Sequence, residues 1–363
     1  TADMPTECGS PLCAGRAPRQ DAAVVAQLRQ AGAIVLGKTV TTEFAFLEPS
    51  RTCNPLDPSR TPGGSSSGSA AAVAAGMVPL ALGTQTGGST IRPAAFCGVY
   101  GYKPSHGLIS RRGVLGLSRA LDHVGVFART LADLALLAEQ LMAFDPADPD
   151  MHPRPRPRLS DFSTARPPAP PKLAFVKSPA WPDADGDTRA AFADLVGALG
   201  GHIEEVALPP IFDEALACHR LIAEADMALS LEQHYQAAPD RLSAILRTAI
   251  ESGRQHRAVD YNRAVARIAA FDAALDALFA GFDAVLTPAA AGVAPPRGVD
   301  AGSAAFCSIW TLCGTPAINL PILRAPSGLP IGAQLVGAKG DDARLFRVAN
   351  WLTVFVDNTG AVA

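Results

Sequence analysis

The chain has 363 residues, 48% hydrophobic and 18% charged, which is enough apolar material for a large core and excludes a disordered chain. A formal charge of −3, with 31 Lys and Arg against 34 Asp and Glu mixed along the sequence, offers no uniform field to attract a polyanion or an acidic membrane. Nucleic acid and membrane are therefore not expected as partners.

In chain order, Val24, Val25, Leu28 and Ala31 have helical spacing after Asp21, and Ala33–Gly37 reads as a buried strand. A polar loop leads to a Gly/Ser run, Gly63 to Ser69, followed by an Ala-rich helix. A strand over Pro79–Gly83 comes next, then a second glycine-rich turn, Thr84 to Ser89. The pattern predicts a helix over Thr130–Met142. Residues 144–171 are rich in Pro, lack apolar periodicity and read as an exposed connection between a front part, 1–143, and a back part, 172–363.

Four helices are expected beyond the connection: Asp187–Leu199, Phe212–His234, Asp240–Arg254 and Arg257–Phe279. Strands are expected at Ile203–Leu208 and Ala284–Thr287. The closing unit reads as helix Ala304–Cys313, strands Ala317–Pro321 and Pro330–Val336, and helix Asp341–Trp351. Alternating helices and strands indicate an α/β fold.

The seven cysteines (Cys8, Cys13, Cys53, Cys97, Cys218, Cys307 and Cys313) are odd in number and form no Cys-x-x-Cys pair, so buried free thiols in a reducing compartment are expected. No histidine pair has metal-ligand spacing. Aromatic residues make up only 6% of the chain, too few for base-stacking platforms. The apolar stretch from Ala70 to Gly83 is broken by Gly76 and Pro79 and falls short of a bilayer span.

The run Gly63 to Ser69 has several readings. A linker has no two domains to join here, and a phosphate loop lacks its lysine after Gly68. A serine-capped helix start remains open. So does a Gly-x-Ser-x-Gly nucleophile elbow over Gly64–Gly68, with Ser66 at its centre. The pairing of this run with Gly87-Gly88-Ser89 weighs most. Pro62 to Gly76, Gly83 to Ser89, Arg92-Pro93-Ala94 and Gly101 to Ser105 together resemble the amidase signature family of serine amidases. Asp21–Phe44, Leu121–Asp133 and Gly328–Gly337 resemble its flanking segments.

The resemblance implies one amidase domain over residues 1–363, with a mixed β-sheet covered on both faces by α-helices, and no metal or organic cofactor. It implies a Ser-Ser-Lys arrangement with Ser89 as nucleophile and Ser65, behind a cis peptide bond from Gly64, as the serine that relays its proton. Thr86, Gly87 and Gly88 are the implied oxyanion-hole positions, and Ser67 and Thr84 the residues bonding the catalytic serines. Arg92 stands three places after the nucleophile instead of two, and Gln85 replaces a frequent Asp. Both resemble a malonamidase-like branch, where the arginine binds a substrate carboxylate; an arginine holding the loop through backbone carbonyls is the alternative.

The family's base is a lysine in a Lys-Asp-x-x-Asp-Thr-like segment, whose alignment on Thr1 puts the lysine about five residues upstream. Lys38, Lys103, Lys172, Lys177 and Lys339 do not fit that role. The expectation is that the natural protein carries the base before Thr1. The implied function is hydrolysis of a small amide through a seryl acyl-enzyme, in the cytoplasm, compatible with a homodimer. The A-type subunit of a tRNA-dependent amidotransferase and a catalytically dead scaffold are the alternatives.

Overall fold

The computed structural model describes residues 1–298 and 301–360. Among the described residues eight strands build one mixed sheet: β1 (Leu80–Gln85), β2 (Tyr100–Lys103), β3 (His123–Ala128), β4 (Leu173–Phe175), β5 (Ile203–Glu205), β6 (Ala284–Pro288), β7 (Ala317–Arg324) and β8 (Pro330–Val336). Their order is β1-β3-β2-β7-β8-β6-β4-β5. Strands from the front of the chain join those from the back where β2 pairs with β7, with Tyr102 opposite Ile318. The β4–β5 and β4–β6 pairs are parallel; the others are antiparallel.

Twelve helices among the same residues accompany the sheet: α1 (Ala23–Gln30), α2 (Ser67–Ala74), α3 (Ile91–Cys97), α4 (Leu131–Gln140), α5 (Leu159–Phe162), α6 (Gly186–Leu199), α7 (Ala215–Ser230), α8 (Glu232–Ala237), α9 (Ala244–Gly253), α10 (Ala258–Phe279), α11 (Ala305–Leu312) and α12 (Asp342–Thr359). The central strands are buried on both faces, and their residues alternate between two cores. Leu286, Ile318 and Leu335 pack with Leu134 of α4, Phe192 of α6 and Phe346 of α12. Val285, Ala317 and Val336 pack with Ile91 of α3, Phe212, Phe271 of α10 and Trp310 of α11.

The expected helices form, with ends shifted by a few residues; the expected Phe212–His234 helix divides into α7 and α8, and the closing helix continues to Thr359. Thr130 caps α4 through its hydroxyl, which accepts from the Asp133 N–H at 3.1 Å. The expected strand at Ala33–Gly37 does not form. Ile34 is 85% exposed and Leu36 71%, since no neighbouring strand among the described residues takes up the segment's backbone groups. The connection over 144–171 is only partly exposed. Leu159 is fully buried, and Asp145 is sealed against Ser110 and Arg112. Four cysteines, Cys13, Cys97, Cys307 and Cys313, are buried thiols, and the other three are partly exposed; all seven are free. Among the described residues no helix is long and apolar enough to cross a membrane.

Candidate active site

The two serine turns lie at the same end of the sheet and are strapped together. The Ser66 N–H donates to the Ser89 carbonyl at 3.4 Å. The Ser66 hydroxyl accepts from the Thr84 N–H (3.2 Å) and donates to the Thr84 carbonyl (3.3 Å), pinning the first turn to β1. Gly83 permits this approach, because a Cβ there would stand 2.5 Å from Ser66 Oγ. Ser66, the central residue of the nominal elbow, thus spends its hydroxyl on backbone groups.

The Gly64–Ser65 peptide is cis. The Ser65 carbonyl gathers four donors: the N–H groups of Thr42 (3.1 Å) and Ser67 (2.9 Å), and the hydroxyls of Thr41 (3.1 Å) and Ser67 (3.3 Å). Gly63 turns the chain at φ +82°, and any side chain there would press on Pro93 of α3, whose Cα would be 2.9 Å from its Cβ. Arg92, fully buried on α3, donates from Nη2 to the Gly64 carbonyl at 2.6 Å. That contact has the geometry of the loop-holding role. Ser65 and Ser89 are both buried residues, 1% and 8% exposed.

The second turn is fixed carbonyl by carbonyl. Thr86 O accepts from His219 Nε2 at 2.8 Å, Gly87 O from the Thr311 hydroxyl at 2.6 Å, and Gly88 O from the Arg92 N–H at 2.9 Å. A trans peptide points its N–H opposite its C=O. Pinning these three oxygens therefore directs the N–H groups of Gly87, Gly88 and Ser89 the other way, and none of these N–H groups has an acceptor among the described residues. Gln85 completes the frame. Its Oε1 accepts from the N–H groups of Thr90 (2.9 Å) and Ile91 (3.0 Å), and its Nε2 donates to Thr311 Oγ1 at 2.9 Å.

Thr86 is also held by its side chain, which donates to Asp122 Oδ1 at 2.6 Å; Asp122 Oδ2 accepts from the N–H groups of Leu117 (2.7 Å) and Ser118 (3.0 Å). Burial raises the Asp122 pKa against the pull of these hydrogen bonds. Of the two residues expected to bond the catalytic serines, Ser67 reaches the Ser65 carbonyl, and Thr84 meets Ser66 through its backbone.

All five lysines are engaged elsewhere. Burial pulls the Lys103 amine down to about 7, within the range of a general base, but it donates to the carbonyls of Thr315 (2.5 Å) and Pro104 (3.0 Å). Lys38 donates to Thr6, and Lys172, Lys177 and Lys339 pair with Glu204, Glu205 and Asp272. Sequence reasoning missed His219, Thr311 and Asp122 as parts of this site. Asp122 lay in a flanking segment of the resemblance, whereas nothing in the sequence pairs residue 86 with 219 or residue 87 with 311.

The structure is thus a mixed sheet clad in helices, with two interlocked serine turns at one end. The chain belongs to the amidase family, whose model matches residues 1–346. It is 35% identical to the A-type subunit of the glutamyl-tRNA(Gln) amidotransferase of Thermus thermophilus, over 96% of this chain and 81% of that protein. A solved chain from a vestigial complex bearing on the origins of an s-triazine catabolic enzyme superposes with a TM-score of 0.90 at 27% identity, covering 99% of this chain and 82% of the other. A peptide amidase bound to the competitive inhibitor chymostatin superposes with a TM-score of 0.83 at 27% identity, covering 100% and 82%.

Proposed function

We propose that this protein is an amidohydrolase that opens a carboxamide C–N bond through an acyl-enzyme on Ser89. The observation that carries the reading is the three pinned carbonyls of Thr86, Gly87 and Gly88 immediately before that serine. They pre-orient backbone donors where the oxyanion of a tetrahedral intermediate would form, and one such donor is worth about 3 to 4 kcal/mol of barrier. In the proposed cycle Ser89 Oγ attacks the carbonyl carbon and its proton passes through the Ser65 hydroxyl to the base, by resemblance a lysine. Collapse of the intermediate breaks the C–N bond, and the proton leaves with ammonia or amine. Water, activated along the same path, then cleaves the ester and restores the Ser89 hydroxyl. The substrate class proposed is a small amide; Arg92, matched to an arginine that binds a substrate carboxylate in the malonamidase-like branch, here donates to the Gly64 carbonyl, so selectivity for a carboxylate-bearing amide is left to the substitution of Arg92.

A second reading, the A-type subunit of a tRNA-dependent amidotransferase, is favoured by the 35% identity to a protein of that name. In that reading the same chemistry supplies ammonia to a partner. Purification of the full-length protein alone or with stoichiometric partners separates the two.

The test is treatment of the full-length protein with a fluorophosphonate, with intact mass and peptide mapping, beside ammonia release from simple carboxamides. One adduct on Ser89, and ammonia release that Ser89→Ala removes, are expected. An adduct on Ser66 with Ser89→Ala still active would establish the elbow reading instead. A folded protein with neither adduct nor ammonia would leave the scaffold reading.

A further inference from the structure

Thr86 is gripped from two sides, and the two grips are tied to each other. Its hydroxyl is held by Asp122, which the N–H groups of Leu117 and Ser118 hold in turn. Its carbonyl is held by His219 of α7. The 117–118 segment is bound to the same helix: the Ser118 hydroxyl donates to Asp226 Oδ2 at 2.5 Å, and the Ser230 hydroxyl donates to the Leu117 carbonyl at 3.0 Å. Asp226 also accepts from the Tyr261 hydroxyl of α10 at 2.7 Å. Thr86, Asp122, the 117–118 segment and α7 therefore form a closed ring of hydrogen bonds around the turn before Ser89.

We infer that His219 is a positioning residue of this centre, through which α7 sets the plane of the 86–87 peptide and so aims the Gly87 N–H at the oxyanion. The inference rests on the amidohydrolase reading. Because a carbonyl is the acceptor, Nε2 carries the proton, and burial keeps the imidazole neutral by holding its pKa below the usual value. His219 is 9% exposed, and Gly87 passes so near that its Cβ would lie 3.5 Å from His219 Cε1. A rotated 86–87 peptide would leave the carbonyl without its donor and turn the Gly87 N–H away from the substrate.

The experiment compares His219→Phe, which keeps the ring and removes the donor, with His219→Gln, whose amide can donate to the same carbonyl. His219→Phe should lower kcat by about 10- to 100-fold with KM changed less than about twofold, the signature of an interaction made in the transition state, while His219→Gln stays within about threefold of wild type. Wild-type kcat in His219→Phe, or equal losses in both variants, would overturn the inference. If His219→Phe does not fold, His219→Asn, whose amide falls short of Thr86, takes its place with the same expectation. Should the wild-type protein release no ammonia from any amide, the functional reading fails separately. The inference is then read from a crystal structure of the variant, where an unmoved 86–87 peptide would refute it.

Discussion

The Thr86 hydroxyl donates to Asp122 Oδ1 at 2.6 Å, so a carboxylate just before β3 holds the last residue before the Gly87-Gly88 turn. A hydrogen bond to a charged acceptor contributes about 1.5 to 3 kcal/mol, enough to decide the resting orientation of a glycine-rich turn. Thr86→Val keeps the shape and removes the donor. We expect kcat to fall by about tenfold with KM little changed, and Tm to drop by a few degrees. Steady-state kinetics and a thermal melt check this, and unchanged kcat would show that the turn holds itself.

The three serines of the strapped turns should separate cleanly. Ser89→Ala should abolish turnover and fluorophosphonate labelling, and Ser65→Ala should cripple turnover while leaving Tm nearly intact. Ser66→Ala removes the pin on Thr84 and should cost about 1 kcal/mol of stability with activity retained. Urea melts beside ammonia assays distinguish these outcomes.

Arg92 is fully buried and donates to the Gly64 carbonyl. If that is its main task, Arg92→Ala loses activity equally on neutral and carboxylate-bearing amides, and stability falls by about 2 kcal/mol or more, because a buried carbonyl loses a charge-assisted bond. A rise in KM confined to carboxylate-bearing amides would instead assign the guanidinium to the substrate.

Gln85 both accepts, from Thr90 and Ile91, and donates, to Thr311. A carboxylate can do only the first. With Gln85→Glu, the Thr311 hydroxyl should turn from the Gly87 carbonyl to the new acid, and a buried charge is added. The expected result is a fall in kcat of about tenfold and a lower Tm, more severe above pH 7 than below pH 5, where protonating the acid restores a donor. Kinetics and melts across that range test it.

Burial disfavours the charged forms of His106, His123 and His219; His106 is lowered to about 4, aided by the Arg111 charge beside it. Above the unfolded histidine pKa of about 6.5 both states are neutral and stability is complete. As pH falls below that value the unfolded chain takes up protons that the native state refuses, so stability declines toward the folded values. Urea midpoints should therefore drop steadily between about pH 6.5 and 4.5, and His106→Gln should flatten part of the slope. A midpoint independent of pH over that interval would contradict it.

By itself, the sequence determined the periodic elements and the local turns. The 130–142 helix, the 330–336 strand and each glycine-rich serine turn rest on spacing, capping and glycine placement within a few residues, visible in a linear string, whereas the pairing of the two turns rested on resemblance to a family. The strands Leu173–Phe175 and His123–Ala128 escaped although Ile203–Glu205 and Ala284–Pro288, no longer than His123–Ala128, were read, because a run this short carries little period of its own and is fixed as a strand by the neighbours that pair with it. Ala33–Gly37 shows the converse, an apolar run that fits a strand yet lies outside the sheet. Only the tertiary structure decided what holds the turn before Ser89. His219, Thr311 and Asp122 reach it from 133, 224 and 36 residues away; Asp122 arrives when β3 pairs with β1, and His219 and Thr311 only once helices from the back of the chain pack onto strands from the front.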